Sequence, residues 1–407
     1  MIRELLADRD TRRYFVGQTF SLFGDTSMWL AAGIWVKQLT GSDAAAGMTY
    51  FFFALPAVAA PLFGLLVDRV RRRRLLIGVN LAGALVVLSL LGVAGPEQLW
   101  LLYAVMVLYG CCECLVGAAQ QALLATFVPT RLLADANATL RTIREGLRIV
   151  APLAGAALFA WAGGAAIAVV DAITFLVAAW CLWRMRIVEP RPERTPGTRM
   201  AAELAAGFRF LTGKVDLRRL TIGAAVAMTV FGFTESAVYA VLERGLQKPP
   251  EFFGVLASVQ GVGSVVGGVT AALLLRRRAE HEVVAAGLVA SAIGVLCWTL
   301  PSLPAVLAGA AAGGLGLPWI VIGALTLLQR RAPNNLQGRV YTSFDVTTTV
   351  PQTASIALGA SLITVLDHRV LLIAEAVVLL LSTALVLRIR TADRTRLDPE
   401  VSPCPTT

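Results

Sequence analysis

Long apolar runs, separated by short polar segments, make up most of the chain. Each run has about 20 residues, which is the length that an α-helix needs to cross the hydrocarbon core of a bilayer. The runs occupy residues 14–37, 45–67, 75–94, 99–127, 138–162, 165–186, 219–242, 253–275, 283–300, 303–328, 341–366 and 369–388. The pattern therefore predicts an all-α membrane protein with twelve transmembrane helices.

The longest polar connection divides these spans into two groups of six. The predicted segments are a first bundle at 1–186, a cytoplasmic linker at 187–218, a second bundle at 219–390 and a cytoplasmic tail at 391–407. Within the linker, Leu204, Phe208 and Leu211 recur at helical spacing on one face, while charged residues occupy the other face. This spacing predicts an amphipathic helix at the membrane interface.

The two groups of spans resemble each other. Pro129 and Pro333 precede spans five and eleven, and they are 204 positions apart. Gly155 and Gly359 lie within these spans and have the same separation. Two six-span repeats in one orientation predict a pseudo-two-fold axis along the membrane normal, with a substrate path between the halves.

Composition supports integration into a membrane and excludes a nucleic-acid-binding module. Hydrophobic residues make up 57% of the 407 residues and charged residues only 15%, and the mean hydropathy is +0.71. The net charge of +10 comes from basic residues spread between apolar spans, whereas a DNA-binding face clusters them on a soluble module. We therefore expect the protein to contact lipids and not to bind nucleic acid.

The basic residues are distributed very unevenly between the two sides of the predicted bundle. One side contains only Lys37, Arg244, Lys248 and Arg369, while the other side contains 32 of the 36 lysines and arginines. Basic loops stay on the cytoplasmic side of a membrane. We therefore expect both termini in the cytoplasm. An arginine-rich chain with only three lysines is typical of a high-GC bacterium, so the expected location is its inner (cytoplasmic) membrane.

A short motif between spans two and three resembles a signature of the major facilitator superfamily. The matching residues are Gly64, Leu66, Asp68, Arg69, Arg72 and Arg73, and Arg71 stands where the signature has a glycine. In span five, Pro152 and Gly155 are similar to the end of the antiporter signature of this superfamily. The loop at 333–339 resembles that of its macrolide-efflux and siderophore-exporter branch, which contains drug:proton antiporters.

The resemblance implies the major facilitator fold, with two pseudo-symmetric six-helix bundles that rock around a central cavity. It implies a cytoplasmic gate formed by Gly64, Asp68, Arg69, Arg72 and Arg73. The implied function is secondary active export of a hydrophobic small molecule, such as a drug, an antibiotic, a siderophore or another secondary metabolite. The proton gradient would drive this export by antiport, without a cofactor, in a protein that acts as a monomer.

Two other classes of function remain open from the sequence. The first is a proton-coupled or passive importer of a small metabolite. The second is a membrane enzyme or a sensor without transport activity, for which no catalytic constellation or soluble output domain is visible. We therefore expect that the protein is not an enzyme.

Three acidic residues within predicted spans are candidates for proton coupling. Asp25 lies in span one, Glu235 in the equivalent span seven and Glu113 in span four. A carboxylate within the hydrocarbon region is costly, so it is a candidate for function by default. The alternative is an acid that only bonds a neighbouring helix. Asp171 and Glu375 lie nearer to the ends of their spans and are weaker candidates.

Aromatic and basic residues of the spans are candidates for the wall of a substrate cavity. Trp29, Phe231 and Trp319 are able to stack on a lipophilic substrate. Arg144 and Arg148 belong to one face of span five, and Arg148 would either bind an anionic group or pair with Glu145. Three cysteines surround Glu113, but only Cys111 and Cys114 have the spacing of a ligand pair, so we expect no metal site.

Overall fold

The computed structural model describes residues 7–187, 189, 200–333 and 336–389. Over these residues the chain is helical and contains no strand. The helices are α1 (Arg9–Thr40), α2 (Asp43–Ala54), α3 (Ala60–Asp68), α4 (Arg72–Leu88), α5 (Leu99–Phe127), α6 (Leu133–Arg184), α7 (Met200–Gly213), α8 (Val215–Ala240), α9 (Phe253–Arg277), α10 (Glu280–Cys297), α11 (Leu303–Arg331), α12 (Gln337–Leu362) and α13 (His368–Leu387).

The helices correspond to twelve spans and one helix in the predicted linker. α2 and α3 are two parts of span two, joined by the 3₁₀ turn Leu55–Ala59 with Pro56 near its start. α6 contains spans five and six, because the backbone breaks at Gly163 with φ 76° and ψ −178°. A positive φ favours glycine, which carries no Cβ. α7 is the helix that the sequence predicted in the linker.

Nine helical segments of the described chain are apolar and long enough to cross a membrane. One of them, Asp135–Arg184, provides two crossings because it is divided at Gly163. α1 and α12 fall outside this group because they are rich in glycine, serine, threonine and charged residues. The two helices have 32 and 26 residues, so they are about 48 and 39 Å long. Both lengths exceed the thickness of the hydrocarbon core, which is about 30 Å. The fold therefore has the twelve predicted spans.

Capping residues determine where α1 begins and ends and where α2 begins. Asp8 caps α1 by accepting a hydrogen bond of 2.7 Å from the Thr11 amide, and this bond lowers the pKa of its carboxyl group. Gly41 ends α1 with φ 66°, the left-handed conformation of a helix C-terminus. Ser42 then caps α2 through the amide of Ala45. A tight turn thus connects spans one and two.

Equivalent contacts in the two halves confirm the internal repeat. Ser27 of α1 donates a hydrogen bond to the carbonyl oxygen of Ala151 in α6, and Ser236 of α8 donates one to the carbonyl oxygen of Ile356 in α12. Gly155 lies next to the first bond, where an added Cβ would be 3.0 Å from the Cα of Ser27. The repeat therefore includes the packing of spans one and five, and of spans seven and eleven.

Small residues bring the two halves into contact along α6 and α9. A Cβ on Gly254 would lie 2.8 Å from the carbonyl oxygen of Pro152, and one on Gly261 would lie 2.8 Å from that of Arg148. Such distances leave no room for a side chain, so the helix backbones touch directly. This crossing of α6 and α9 is a direct contact between the first and second halves.

The bundle has an arginine-rich end and an opposite end. Arg13 at the start of α1 donates to the carbonyl oxygen of Arg184 at the end of α6, and Arg219 of α8 donates to that of Arg388 after α13. These termini and the turn at 69–71 therefore lie at the arginine-rich end. There the first half has an apolar core of its own, whereas the larger core includes residues of both halves.

The predicted linker and tail are only partly described. α7 packs on α12, where Ser343 donates a hydrogen bond of 3.0 Å to the carbonyl oxygen of Leu204. Leu211 is buried, while Phe208 is exposed. Residues 188, 190–199 and 390–407 lie outside the described residues, so the domain boundaries there stay predictions.

Candidate functional site

Four charged side chains from both halves form one network at the opposite end, and we name them the charged gate. Lys37 of the first half binds Asp43 at 2.7 Å and also binds Glu243 of the second half. Arg244 of the second half binds Asp43 at 3.1 Å. Lys37 and Asp43 are buried, and their partners across the gate are about half exposed. The gate therefore connects the two halves at this end.

Aromatic side chains close the bundle below the charged gate. The hydroxyl groups of Tyr50 and Tyr239 lie 2.6 Å apart, with one tyrosine from each half. Phe253 packs edge-on against both rings, and Trp29 packs against Tyr50. The opposite end is thus sealed by an ionic layer and an aromatic layer.

A large cavity opens between the halves towards the arginine-rich end. Its volume is about 550 Å³, and its lining includes Arg144 and Arg148 of α6. The cavity is lined by Leu22, Asp25, Thr26, Trp29, Phe53, Tyr109, Glu113, Arg144, Arg148, Pro152, Met228, Phe231, Glu235, Phe253, Ala257, Gln260, Gly261, Ser264, Leu317 and Gln352. The conformation is therefore closed at the charged gate and open at the arginine-rich end.

Two carboxylates and a tyrosine form a cluster in the wall of the first half. The Tyr109 hydroxyl lies 2.7 Å from Asp25 Oδ1 and 3.1 Å from Asp171 Oδ2. Ser21 donates a further hydrogen bond to Asp25 at 3.1 Å. Gly24 permits this approach, because a Cβ there would collide with Thr174 and Asp171. Spans one, four and six therefore meet at this cluster.

The geometry of the cluster favours an additional proton. The Tyr109 hydroxyl has one hydrogen, which it can donate to only one carboxylate. If it donates to Asp25, the contact with Asp171 is favourable only when Asp171 carries a hydrogen of its own. Two oxygens without a hydrogen between them would repel each other, and burial adds to the cost of charge. The cluster is thus suited to hold and release a proton.

Basic residues of α6 lie beside the third acid of the cavity wall. Glu113 lines the cavity together with Arg144 and Arg148, and the charge of Arg144 acts on Glu113. Arg148 lies 3.7 Å from Glu145, one turn earlier in the helix. This is the pairing that the sequence left as an alternative to anion binding. The positive charge of the wall is therefore concentrated on α6.

The second half carries its own pair of acids. Glu235 of α8 lines the cavity. Its neighbour Thr234 donates a hydrogen bond of 2.7 Å to Glu375 Oε2. Glu375 is 4% exposed, and its Oε1 atom has no hydrogen-bond partner among the described residues. Glu375 and Asp171 are 204 positions apart, so they are equivalent residues of the repeat.

Asp171 and Glu375, the weaker candidates of the sequence, and Tyr109, which the sequence did not indicate, all take part in the hydrogen bonds of these acids. Both acids are almost completely buried, although they lie nearer to the ends of their spans. The repeat contained a signal for them, because their separation equals that of Pro129 and Pro333. Tyr109 had no comparable signal, since its role depends on which helices face each other.

Some of the aromatic candidates and of the span-five residues line the cavity, and the others pack elsewhere. Trp29 and Phe231 line the cavity. Trp319 is not among its lining residues, and its indole donates a hydrogen bond of 2.9 Å to Thr270 of α9. Pro152 lines the cavity, while Gly155 packs on α1. The motif thus contributes to the wall and to the packing behind it.

The predicted cytoplasmic gate lies at the arginine-rich end. Gly64 is in open space, and Arg69 ends α3. Arg73 donates hydrogen bonds to the carbonyl oxygens of Leu182 and Trp183, at 2.8 and 2.6 Å, so it connects two elements of the first half.

Two further residues of this predicted gate are Arg72 and Asp68. Arg72 begins α4. The Asp68 side chain lies outside the described part of the chain, so its role in the cytoplasmic gate stays a prediction. Among the described residues, no group of three or more histidine, cysteine, aspartate or glutamate side chains has the geometry of a metal site.

Comparisons with known proteins agree with this architecture. The family model of the Major Facilitator Superfamily matches residues 14–252 and 220–403. The uncharacterized MFS-type transporter YfiS of Bacillus subtilis (strain 168) is 26% identical over 363 residues. The aligned region covers 85% of this chain and 84% of that protein.

Solved structures with low sequence identity share the fold. A bacterial homologue of the iron transporter ferroportin, in an inward-facing state, has a TM-score of 0.70 and 17% identity, with 94% of this chain and 99% of that chain covered. The nucleoside transporter NupG has a TM-score of 0.74 and 11% identity, with 94% and 100% covered. Together with the family match over most of its length, these findings show that the chain belongs to the major facilitator superfamily.

Proposed function

We propose that this protein is a secondary active transporter that exports a hydrophobic small molecule in exchange for protons. The observation that carries the proposal is the cavity between the halves, which combines aromatic walls with carboxylates of both repeats. An aromatic wall suits a lipophilic cargo, and intramembrane carboxylates suit proton relay. The candidate cargo is a drug, an antibiotic, a siderophore or another secondary metabolite.

Proton coupling is assigned to the acids that line the cavity. Asp25 shares the Tyr109 hydroxyl with Asp171, and Glu235 lies beside Thr234, which binds Glu375. When the cavity changes sides, the water that reaches these acids changes sides as well. A proton taken up on one side would then be released on the other, which is the requirement for antiport.

Export is supported by the resemblance of the span-five motif and of the loop at 333–339 to the antiporters and exporters of the superfamily. The cavity opens at the arginine-rich end, which the charge distribution assigns to the cytoplasm of a bacterium. A hydrophobic molecule would therefore enter from the cytoplasm and leave past the charged gate. We place the protein in the inner membrane, with both termini in the cytoplasm, as a monomer.

The test is substrate-dependent proton movement in proteoliposomes with an imposed pH gradient. Protons and substrate should move in opposite directions, and Asp25→Asn or Glu235→Gln should uncouple them. Movement in the same direction would indicate a proton-coupled importer. Substrate movement without protons would indicate passive transport, and full coupling in both variants would overturn the assignment of these acids.

A further inference from the structure

A buried histidine lies at the same end of the bundle as the charged gate. His368 begins α13 directly after the capping residue Asp367, and the other end of α13 leads to Arg388 at the arginine-rich end. His368 is 3% exposed, and neither of its ring nitrogens has a hydrogen-bond partner among the described residues. A neutral imidazole has one N–H donor and one acceptor nitrogen, and buried groups of this kind are nearly always paired. The closed conformation therefore leaves this ring unsatisfied.

His368 packs against the turn that carries both second-half members of the charged gate. This turn, Val241–Gly245, is π-helical, a rare form that is frequent at functional sites. A Cβ on Gly245 would lie 3.7 Å from Nε2 of His368. Two residues after the turn, Gln247 adopts φ 52°, a left-handed conformation that is uncommon for a residue with a side chain. The ring thus contacts a backbone segment that departs from regular geometry.

The charges around His368 do not favour a positive charge on its ring. Asp367, Arg369, Arg244 and Asp43 all act on the ring electrostatically. Asp367 Oδ1 lies 3.7 Å from Nδ1 of the ring, which is beyond hydrogen-bond distance, and it already accepts from the amide of Arg369. Asp43 is bound by Arg244 and by the lysine of the gate. Among these groups, a protonated ring would therefore meet two arginines and no acid that is free to pair with it.

The charged gate itself is balanced without an imidazolium. Lys37 and Arg244 contribute two positive charges, and Asp43 and Glu243 contribute two negative charges. Protonation of the ring would add a third positive charge in a buried place, where repulsion is stronger than in water. Separation of the halves would let water reach the ring and the two half-exposed members of the gate. The closed gate therefore favours the neutral ring, and the open gate favours the protonated one.

Other titratable groups on the helices that pack against α13 are engaged elsewhere. These helices are α8 and α10. In α8, Tyr239 bonds the tyrosine of the other half and Glu235 faces the cavity. The other charged residues of α8 and α10 lie in their first two turns, at the arginine-rich end. On α13 itself, Glu375 is two helical turns further on and accepts a hydrogen bond from a threonine of α8. The charge balance around the ring is therefore set by the gate and by the two neighbours of the ring in sequence.

We propose that His368 is a proton-binding site that controls the charged gate, so that a proton taken up by a ring nitrogen from the solution at this end drives the gate open. The inference goes beyond the proposed function, because it concerns one gate and depends neither on the cargo nor on the direction of transport. It also gives a reason for a buried polar ring without a partner, since the open conformation supplies the proton and the water that the closed one excludes.

The size of the effect follows from the titration of imidazole. In water an imidazole is half protonated at about pH 6.5. If the ring binds a proton only when the gate is open, the ratio of open to closed molecules is multiplied by one plus the ratio of protonated to neutral rings. This factor is about 1 at pH 8 and about 30 at pH 5. We therefore expect the ratio of open to closed molecules to rise about ten- to thirtyfold over this range.

Spin-label distances in the purified full-length protein test the proposal. The labels replace Trp161 and Leu300, which are exposed at the gated end of the first and second halves, once the native cysteines are replaced. The ratio of long to short distances should rise about ten- to thirtyfold when the pH falls from about 8 to about 5. His368→Asn should reduce this rise to less than about threefold. An equal pH response in His368→Asn and in the wild type would overturn the proposal.

A second histidine provides a matched control. The chain contains two histidines, and His281 is also buried, but it belongs to the first turn of α10 at the arginine-rich end. His281→Asn should keep the full pH response of the gate. Loss of the response in His281→Asn as well as in His368→Asn would overturn the assignment of the site to the charged gate.

A further variant separates the charge of the ring from its packing. His368→Phe retains an aromatic ring and binds no proton. It should stay closed at pH 8 and at pH 5, with a thermal stability close to that of the wild type, because the replacement removes two unpaired buried nitrogens. A gate that is open at both pH values in His368→Phe would show that the ring only holds the turn in place, and this would overturn the proposal. No substrate and no proton gradient are used, so the result is independent of the proposed function.

Discussion

Neutralisation of either exposed member of the charged gate should favour opening at that end. Two ion pairs connect the halves there, Lys37 with Glu243 and Arg244 with Asp43. The Glu243 and Arg244 side chains are 59% and 47% exposed, so each pair contributes only about 0.5–1 kcal/mol. Because the pairs exist only in the closed arrangement, Arg244→Gln should raise the ratio of open to closed molecules about two- to fivefold.

The inner pair of the charged gate should respond differently. Lys37 and Asp43 belong to the same half and are both buried, so their bond persists when the halves separate. Lys37→Met would leave Asp43 buried with Arg244 as its remaining cation. Because Arg244 still neutralises Asp43, the loss of stability should be smaller than the about 3–5 kcal/mol of a buried charge without any partner. We therefore expect a lower midpoint of thermal unfolding for this variant, beyond any effect on gating.

Distances between spin labels on the two halves would measure the opening. Trp161 and Leu300 are exposed at the gated end of the first and second halves, and both can carry a label once the native cysteines are replaced. The long-distance population should grow two- to fivefold in Arg244→Gln and about tenfold when Glu243→Gln is added. Salt at about 1 M should have a similar effect on the wild type, because it screens exposed charges. An unchanged distance distribution in the double variant would refute the reasoning.

Three further predictions concern the first half and its contact with the second. Tyr109→Phe removes the hydroxyl between two carboxylates and should lower substrate-driven proton flux in proteoliposomes about tenfold, with unchanged substrate binding; unchanged flux would contradict a shared proton. Gly261→Leu should abolish transport because its side chain would meet the backbone of α6, whereas Gly117→Leu, at a site with open space, should remain active. Arg73→Gln should lower thermal stability by about 1 kcal/mol through the loss of two exposed or half-buried hydrogen bonds, and a melting curve identical to that of the wild type would contradict this.

The positions of the spans were predictable because they depend on one local property, the length of each apolar run. Predicted span four at 99–127 coincides with α5, and predicted span eight at 253–275 begins with α9. The break between spans five and six was expected near Gly163, where a glycine accepts the positive φ. Helices extend beyond the apolar runs where polar turns continue them, as α1 does from Arg9 to Thr40. Apolar length therefore predicts the core of a span but not its ends.

The composition of the site was less predictable because it depends on contacts between distant spans. Asp25 stood out as an acid in the middle of a span, but its partner Tyr109 is 84 positions away. Trp319 has the composition of a cavity residue and instead binds Thr270. Sequence periodicity predicts which residues share a face of one helix, but it does not predict which other helix packs against that face.

The charged gate is arranged so that opening leaves no buried charge without a partner. Asp43 accepts from Lys37 and Arg244, and only the bond with Arg244 crosses between the halves. Separation of the halves therefore leaves Asp43 paired with Lys37, while Glu243 and Arg244, which are already about half exposed, enter water. If the buried pair itself crossed the interface, opening would incur the full cost of a buried charge without its partner. The observed division keeps the costly interaction within one half, so the two halves can part and close again with a small change in free energy.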